Sequence, residues 1–492
     1  MKRALADFPL TIALDQGGET PIYRQLYDWF QRAIVEGRLR PGQRVPSTRS
    51  LAAELKISRI PVLTAFEQLH AEGYLESVIG AGTRVAPAMP EQTVRLPPRK
   101  PSEPRDEPRT RRVSHAAEAA MASGDSPQSF NAFRVSQPAL DAFPTGVWSS
   151  ILARHARRPA PELMEYSDPM GYAPFREAIA EYLGVARAVR CDASQVMIVA
   201  GSQQGLQIAA RALLDPGDAV WVEEPGYFGA HRAFGMAGAE LTPVPTDGQG
   251  LDVQEGVRLR GDARAAYVTP SHQYPLGVTM SASRRIRLLN WASEVDAWIF
   301  EDDYDSEFRF ASRPIASLQG VDEDRGVIYL GTLSKVLFPA LRIGYLVIPK
   351  DLVEAFRCVR MAMDIFPSML FQAALNDFIR EGHFARHIRR MRMLYMSRCE
   401  TLVGAIQRHL GGRLQLVSAQ AGMHLAGFLP SDVDDTVISR RAFEAGVSAM
   451  PLSACYLSHP ARSGLVLGYG GADDAAIEHG VAVLAGILRD QA

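Results

Sequence analysis

One lysine in the stretch GTLSKVLFPALRIGY, Gly331 to Tyr345, has the surroundings of a nucleophilic amine. Lys335 lies in an apolar setting, and burial there lowers the pKa of a lysine, which favours attack on a carbonyl carbon. Thr332, Ser334 and Arg342 add two hydroxyl groups and a planar guanidinium suited to a phosphate. The stretch predicts a site for an aldehyde that carries a phosphate. A lysine and an arginine on a solvated turn is the alternative.

A second stretch, WIFEDDYDSEFRF, places carboxylates after a short apolar run. Ala297 to Phe300 is typical of a buried strand, and acidic residues and a tyrosine follow it. Pyridoxal 5'-phosphate (PLP) is an aldehyde with a phosphate, and it works as an electron sink only while a carboxylate keeps its pyridine nitrogen protonated. Asp302 can supply the carboxylate, and Tyr304 can bond the ring hydroxyl. A solvated loop or a metal site is the alternative, but no histidine or cysteine pattern supports a metal.

The two stretches together resemble the motifs of class I aminotransferases of fold type I. In that family the lysine motif is Ser-Lys followed by an arginine, and the acidic strand end carries Asp-x-Tyr. The resemblance covers the C-terminal three quarters of the chain and implies that Lys335 is the lysine to which PLP is attached. It also implies that Asp302 faces the pyridine nitrogen and Tyr304 the phenolic oxygen. The residues implied to hold the phosphate are Thr332, Ser334 and Arg342.

Further segments extend this resemblance around the cofactor. VMIVAGSQQGLQIAARALL predicts a strand, a polar turn and a helix, and backbone N–H groups at a helix start bind anions. The phosphate-binding residues of that turn are Gly201, Ser202 and Gln203. Tyr227 in the EEPGY segment matches the ring that stacks on the pyridine. Tyr166 matches a tyrosine that reaches the phosphate of the neighbouring subunit's cofactor, with packing in the core as its alternative.

Two positions depart from ordinary aminotransferases. SHQYPLG replaces their asparagine motif. The resemblance implies that His272, Gln273 and Tyr274 line the site, and which of the three contacts the cofactor is left open. In the last strand, SGLVLGYGG places Val466 where Arg-Leu-x-Phe usually supplies an arginine for the substrate carboxylate. This second change argues against efficient turnover of amino acids, because an unpaired carboxylate is costly.

A compact basic unit lies earlier in the chain, from about Pro21 to Val85. Apolar residues at helical spacing predict a first helix over PIYRQLYDWFQRAIVEG, and a second helix, a third helix with Ser58 as N-cap and a Gly-rich hairpin follow. That order is the order of a winged helix-turn-helix. The unit resembles the DNA-binding domain of the GntR superfamily, through P-x-Y-x-Q-L, P-S-x-R, L-A-x-x-L, A-E-G-Y-L and G-x-G-T.

The GntR resemblance implies DNA contacts at three places. Ser47 and Arg49 are implied to contact the phosphate backbone. The recognition helix is implied to enter the major groove with its first residues, Ser58 and Arg59. Gly82 and Thr83 lie on the wing. Most relatives have a small polar pair where this chain has Ile60-Pro61, which leaves the base preference open.

The composition of the chain limits the classes of protein to which it can belong. The chain has 492 residues, a net charge of -2 and a hydrophobic share of 47%, so any DNA-binding surface must be local. The four cysteines form no Cys-x-x-Cys pair, which argues against a disulfide framework or a zinc site. No signal peptide is recognisable and no apolar run approaches the ~20 residues of a membrane span. We therefore expect a cytoplasmic protein without membrane contact.

The predicted protein has several domains. They are an α+β winged helix-turn-helix at 1–86, a flexible linker rich in Pro, Arg and Glu at 87–128, and an α/β aminotransferase-like PLP domain of fold type I at 129–492. This plan resembles the MocR family of transcriptional regulators. It implies a homodimer that binds a double-stranded DNA operator and senses a small amine, an amino acid or PLP itself. The alternative is an active PLP-dependent aminotransferase with an accessory DNA-binding domain.

Overall fold

The computed structural model describes residues 12–15, 17–18, 20–78, 82–87, 111–114, 117–118, 121, 132–310, 316–323, 326–418, 421–458 and 462–490. The chain divides into two compact units, Met1–Arg111 and Arg112–Ala492. Most of the predicted linker at 87–128 lies outside the described residues, and so do residues 79–81 of the predicted Gly-rich hairpin. Among the described residues, no helix is both long enough and apolar enough to cross a membrane.

Three helices and a hairpin build the first unit. The elements are α1 (Ile22–Val35), α2 (Thr48–Glu54), α3 (Arg59–Ala71), β1 (Leu75–Val78) and β2 (Gly82–Val85), with β1 and β2 antiparallel. Apolar side chains at helical spacing bury one face of α1, and Phe30 packs edge-on against Phe66 of α3 with ring centroids 5.2 Å apart. Gly37 follows α1 with φ +74°, a left-handed backbone that glycine adopts without strain. The winged helix-turn-helix prediction is therefore confirmed.

The two N-caps of the helix-turn-helix differ. The Ser47 hydroxyl accepts a hydrogen bond from the backbone N–H of Ser50 at 3.1 Å and caps α2. Ser58 stands at the N-cap of α3, as predicted, but its side chain makes no capping hydrogen bond. The predicted position of the N-cap is therefore confirmed.

A mixed eight-stranded sheet forms the centre of the second unit, with the strand order β3-β10-β9-β8-β7-β4-β5-β6. Its strands are β3 (Val196–Val199), β4 (Ala219–Glu224), β5 (Glu240–Asp247), β6 (Gly250–Leu251), β7 (Ala265–Val268), β8 (Trp298–Asp303), β9 (Val327–Thr332) and β10 (Gly344–Val347). Neighbours from β9 through β8, β7 and β4 to β5 run parallel, while β10 and β6 run antiparallel to their neighbours. This is the mainly parallel sheet that the alternation of strands and helices predicts.

Twelve described helices accompany this sheet and a smaller antiparallel sheet that follows it in the chain. The helices are α4 (Thr145–Arg157), α5 (Ala173–Arg187), α6 (Ser202–Leu213), α7 (Phe228–Met236), α8 (Val253–Arg260), α9 (Ala282–Val295), α10 (Leu318–Val321), α11 (Val353–Met363), α12 (Met369–Arg380), α13 (His383–Leu410), α14 (Asp435–Glu444) and α15 (Asp474–Arg489). The small sheet has the order β11-β12-β14-β13, from β11 (Gln415–Leu416), β12 (His424–Phe428), β13 (Met450–Pro451) and β14 (Gly464–Gly468).

Strand β8 carries its acidic residues inside the sheet. The sequence predicted a strand that ends at Phe300 with acidic residues after it, and that boundary was wrong because the strand continues to Asp303. The buried carboxylates have partners from neighbouring elements. Glu301 accepts the N–H groups of Leu318 and Gln319 at 2.8 and 3.0 Å, and Asp303 accepts a bond from Arg187 at 2.6 Å. These bonds offset the cost of burying charge, which hydropathy alone does not register.

Candidate functional site

Lys335 lies just past the end of β9 and is partly buried. The pKa of its amine is lowered to about 8, chiefly because burial disfavours the charged form and next because the Arg342 guanidinium is near. Asp302 and Asp305 oppose this shift, and Arg134, to which the sequence analysis gave no role, adds to it. A larger fraction of the amine is therefore neutral, and thus nucleophilic, near neutral pH than in an ordinary lysine.

Asp302 presents a carboxylate oxygen that lacks a partner. The side chain is 3% exposed on β8, and its Oδ2 accepts a hydrogen bond from the Tyr267 hydroxyl at 2.8 Å. Its Oδ1 is buried and has no hydrogen-bond partner among the described residues. Burial raises the pKa of this carboxyl to about 7. A buried acceptor in this state fits a ligand that brings an N–H donor.

A positive cradle lies at the start of α6. Gly201, with φ +87°, is the N-cap of this helix. The first backbone N–H groups of a helix have no partner within it and can bind an anion. The Arg342 guanidinium donates to the Ala200 carbonyl at 3.1 Å, and a Cβ at Gly201 would lie 3.2 Å from the Arg342 Nη2 atom. The arginine and the helix start therefore lie side by side, and the glycine leaves room for the guanidinium.

The hydroxyl residues of the lysine motif flank this cradle in the chain. The Thr332 Oγ1 atom accepts the backbone N–H of Ser334 at 3.2 Å. The Ser334 Oγ atom is buried and has no partner among the described residues. Both hydroxyl groups can still donate to an anion.

Three other residues that are predicted to contact the cofactor differ in their exposure and in their contacts. The Gln203 amide donates to the Gly229 carbonyl at 3.0 Å, so its side chain is committed to α7 and only its backbone serves the cradle. Tyr227 precedes α7, and burial followed by the nearby Asp302 raises the pKa of its hydroxyl to about 12. Tyr166 is 88% exposed and touches Phe366 edge-on at 5.9 Å, which excludes packing in the core of this unit.

Tyr304 belongs to a buried network that the sequence analysis did not foresee. Its hydroxyl lies 3.0 Å from the His272 Nδ1 atom, which is 3.1 Å from both carboxylate oxygens of Asp305. The His424 ring lies 5.0 Å from the His272 ring, and its Nε2 donates to the Pro275 carbonyl at 3.1 Å. Burial, then His272, lowers the pKa of His424 to about 3, so this imidazole is neutral. The network fixes the orientation of Tyr304.

Three side chains of this network, without Tyr304, form a cluster of possible metal ligands. Donor atoms of His272, Asp305 and His424 all lie within 4.8 Å of one another. The sequence shows no histidine pattern because the fold brings these residues together from β12 and two separate loops. Since the His272 Nδ1 atom is already bonded to Asp305 and Tyr304, we interpret the cluster as a hydrogen-bond network, and the absence of a metal stays a prediction.

The three candidate residues of the SHQYPLG segment have different hydrogen-bond partners in the structure. The Gln273 amide donates to the carbonyl groups of Pro225 and Tyr274 at 2.8 and 2.7 Å and braces the loop. Tyr274 directs its hydroxyl toward the Met450 sulfur at 3.6 Å. His272 is thus the member of this segment that is hydrogen-bonded to Tyr304.

In the first unit, the predicted DNA-contact residues lie at the surface. The side chains of Arg49, Ser47, Ser58 and Arg59 are exposed. Arg59 is the first residue of α3, and its Nε donates to the Thr48 hydroxyl at 3.2 Å, which joins the starts of α2 and α3. Gly82, with φ +85°, and Thr83 open β2. Cationic groups, a helix start and the hairpin are therefore all available to a polyanion.

The comparisons with known proteins fit both units. Residues 138–483 match the family of class I and II aminotransferases, and residues 22–85 match bacterial regulatory proteins of the gntR family. A probable rhizopine catabolism regulatory protein, MocR, of Rhizobium meliloti is 41% identical over 96% of this chain and 94% of its own length. The pyridoxine biosynthesis transcriptional regulator PdxR of Corynebacterium glutamicum is 31% identical over 96% of both chains.

A solved structure resembles the second unit. LysN, an α-aminoadipate aminotransferase of Thermus thermophilus in complex with N-(5'-phosphopyridoxyl)-L-leucine, superimposes with a TM-score of 0.68 at 27% identity, over 77% of this chain and 95% of LysN. Fold and site thus define a chain that joins a gntR-type DNA-binding domain to an aminotransferase fold of type I. The chain belongs to the MocR-type family of regulators within this class.

We predict that Asp302→Asn flattens the pH dependence of stability in the cofactor-free protein. The folded carboxyl has a pKa of about 7, above its ordinary value, so the folded state keeps a proton that the unfolded state loses. Stability therefore falls as pH rises from the ordinary aspartate range to about 7, and asparagine cannot ionise. Denaturant titrations on both sides of this window measure the change. Asp262→Asn, at an exposed position, is the control, and equal pH profiles for wild type and Asp302→Asn would contradict the prediction.

Proposed function

We propose that this chain is a PLP-dependent transcriptional regulator, which binds operator DNA through its first unit and PLP at Lys335 of its second unit. Membership of the MocR-type family supports both halves of this function. The observation that carries the PLP site is the unpaired Asp302 Oδ1 atom, because a protonated pyridine nitrogen is the donor that it lacks. The cradle of Arg342 and the α6 start suits the phosphate of the same molecule.

The chain's own side chains would divide the work of binding. Bound PLP supplies an aldehyde carbon that combines reversibly with amines. Asp302 would hold a proton at the pyridine nitrogen, and Tyr304, oriented by His272, would face the ring oxygen. Tyr227 would cover the ring face, while Thr332, Ser334, Arg342 and the backbone of Gly201, Ser202 and Gln203 would bind the phosphate. Lys335 would provide the amine that an effector displaces.

The proposal extends to the effector, the oligomeric state and the location of the protein in the cell. A small amine or amino acid, or PLP itself, is the proposed effector, since each can occupy a site built around an aldehyde and a lysine. The exposed ring of Tyr166 supports a homodimer in which it reaches the neighbouring subunit's phosphate. DNA as the partner implies a cytoplasmic protein. The domain limits of 1–86 and 129–492 remain part of this proposal.

Val466 favours regulation over catalysis. Its side chain is fully buried in β14, in an apolar cluster with Leu276, Ala426 and Leu452, so this position presents no guanidinium to a substrate. Loss of a charge-assisted pair costs about 1.5–3 kcal/mol, or roughly 10- to 150-fold. The competing function is an active aminotransferase, which the proposed PLP residues around Lys335 and Asp302 favour.

A steady-state assay separates these two functions. We expect little or no multiple-turnover transamination between common α-amino acids and 2-oxoglutarate in PLP-loaded protein, because positioning losses add to the missing pair. Slow spectral change on adding amino acid should remain visible, because amine exchange needs only the aldehyde carbon and Lys335. A sustained rate near the ~10 s⁻¹ of typical enzymes would instead support the aminotransferase.

We predict that Lys335→Ala abolishes covalent attachment of PLP. The wild-type protein should show the absorbance of lysine-bound PLP, and borohydride should fix the cofactor to the chain. Attachment to cofactor-free wild-type protein should become faster as pH rises through about 8, because the neutral amine is the nucleophile. Lys350→Ala, at an exposed ion pair with Asp192, is the matched control. Borohydride-fixed PLP on the Lys335→Ala protein would show that another residue is the attachment site.

We predict that Arg49→Ala weakens binding to every DNA duplex by a similar factor. One lost phosphate contact should reduce the slope of log K against log salt by about 1, because about one fewer counterion is released. Arg38→Ala, in the same unit but paired with Glu36, should leave that slope unchanged. Titrations of duplex DNA at several salt concentrations give both slopes. An unchanged slope for Arg49→Ala would remove this residue from the backbone contacts.

A further inference from the structure

Two apolar side chains lie exposed on the outward face of α3. Ile60 is 72% exposed, the largest fraction of any large apolar side chain in the described part of the first unit, and Leu63 is 40% exposed. They are the second and fifth residues of the helix, three positions apart, and therefore neighbours on one face. The opposite face, with Val62, Ala65 and Phe66, is buried in the core, which holds this pair toward the outside.

Polar and cationic residues lie next to this apolar pair in the chain and at the start of α2. Arg59 precedes Ile60 directly and is tied to Thr48, at the start of α2. Arg49 lies one residue further along α2 and is exposed, as is Thr64 next to Leu63. A surface that combines exposed cationic groups with exposed apolar side chains is complementary to the major groove, where phosphates flank the edges of the bases.

We propose that Ile60 and Leu63 read the methyl groups of thymine, so that the preferred DNA half-site has thymine under the first turns of α3. This inference rests on the proposed DNA-binding function. The N-terminal residues of a recognition helix contact base edges. Among the four bases, thymine alone offers an apolar group in the major groove, the C5 methyl. Isoleucine and leucine have no donor or acceptor with which to read the other bases.

Replacement of thymine by uracil tests this proposal, because it removes the methyl group and leaves every hydrogen-bonding group in place. A preferred duplex is first selected with the full-length wild-type protein from a randomised pool. Each thymine is then replaced by uracil, one position at a time. We expect about fourfold weaker binding for each methyl group that Ile60 or Leu63 buries, and no change at other positions.

Serine variants identify the side chain that reads each methyl group. Ile60→Ser should bind the thymine and uracil forms equally at its own position, with an unchanged salt slope, since no phosphate contact is lost. Leu63→Ser should do the same at a different position. Val35→Ser, at a 48% exposed site near the end of α1, should keep the full preference of the wild type for thymine.

Three results would overturn the proposal. One is equal binding of thymine and uracil forms by wild-type protein at every position. Another is an Ile60→Ser protein that keeps the wild-type preference for thymine over uracil at every position. The third is a change of oligomeric state in Ile60→Ser with an unchanged thymine preference, which would assign the apolar pair to a protein contact. If the wild-type protein showed no salt-dependent binding to any duplex, the proposed DNA-binding function itself would be contradicted.

Discussion

A carboxylate inside the central sheet is the constraint on which the second unit depends. Asp302 is buried on β8 with one oxygen bonded to Tyr267 and the other without a partner among the described residues. Burial raises the pKa of the carboxyl to about 7, because a charged carboxylate is costly in this setting. A ligand with a cationic N–H relieves this cost. The buried carboxylate therefore links the stability of the sheet to the occupancy of the site.

The surroundings of Lys335 belong to the same electrostatic balance. Burial and Arg342 favour its neutral form, while Asp302 and Asp305 favour its charged form. The outcome, a pKa near 8, keeps the amine reactive without making it a permanently buried charge. The Arg342 guanidinium serves two purposes here, since it also lies beside the start of α6, where an anion would bind. In the proposed function, cofactor attachment and phosphate binding would therefore share one positive group.

The sequence predicts most directly the features whose signal lies in adjacent residues. The winged helix-turn-helix and the mainly parallel sheet are confirmed, because each has a local pattern of fixed spacing, while the roles of the lysine motif and of the acidic strand stay predictions. The network of His272, Asp305 and His424 could not be predicted, since β12 packing brings His424 to a loop about 150 residues earlier in the chain. The true end of β8 was missed for a related reason: the partners that allow acidic residues in a buried strand come from other elements.

Regulation requires that occupancy at Lys335 change the equilibrium between states with different DNA affinity, and this coupling is reciprocal. The most direct measurement is the affinity of the full-length protein for its selected duplex at fixed salt, with PLP bound and with PLP removed. We predict affinities that differ by about 5- to 150-fold for the wild type, the usual range of coupled sites, and a single affinity for Lys335→Ala under both conditions. Equal affinities of PLP-loaded and PLP-free wild-type protein, with and without an amine effector, would contradict the account.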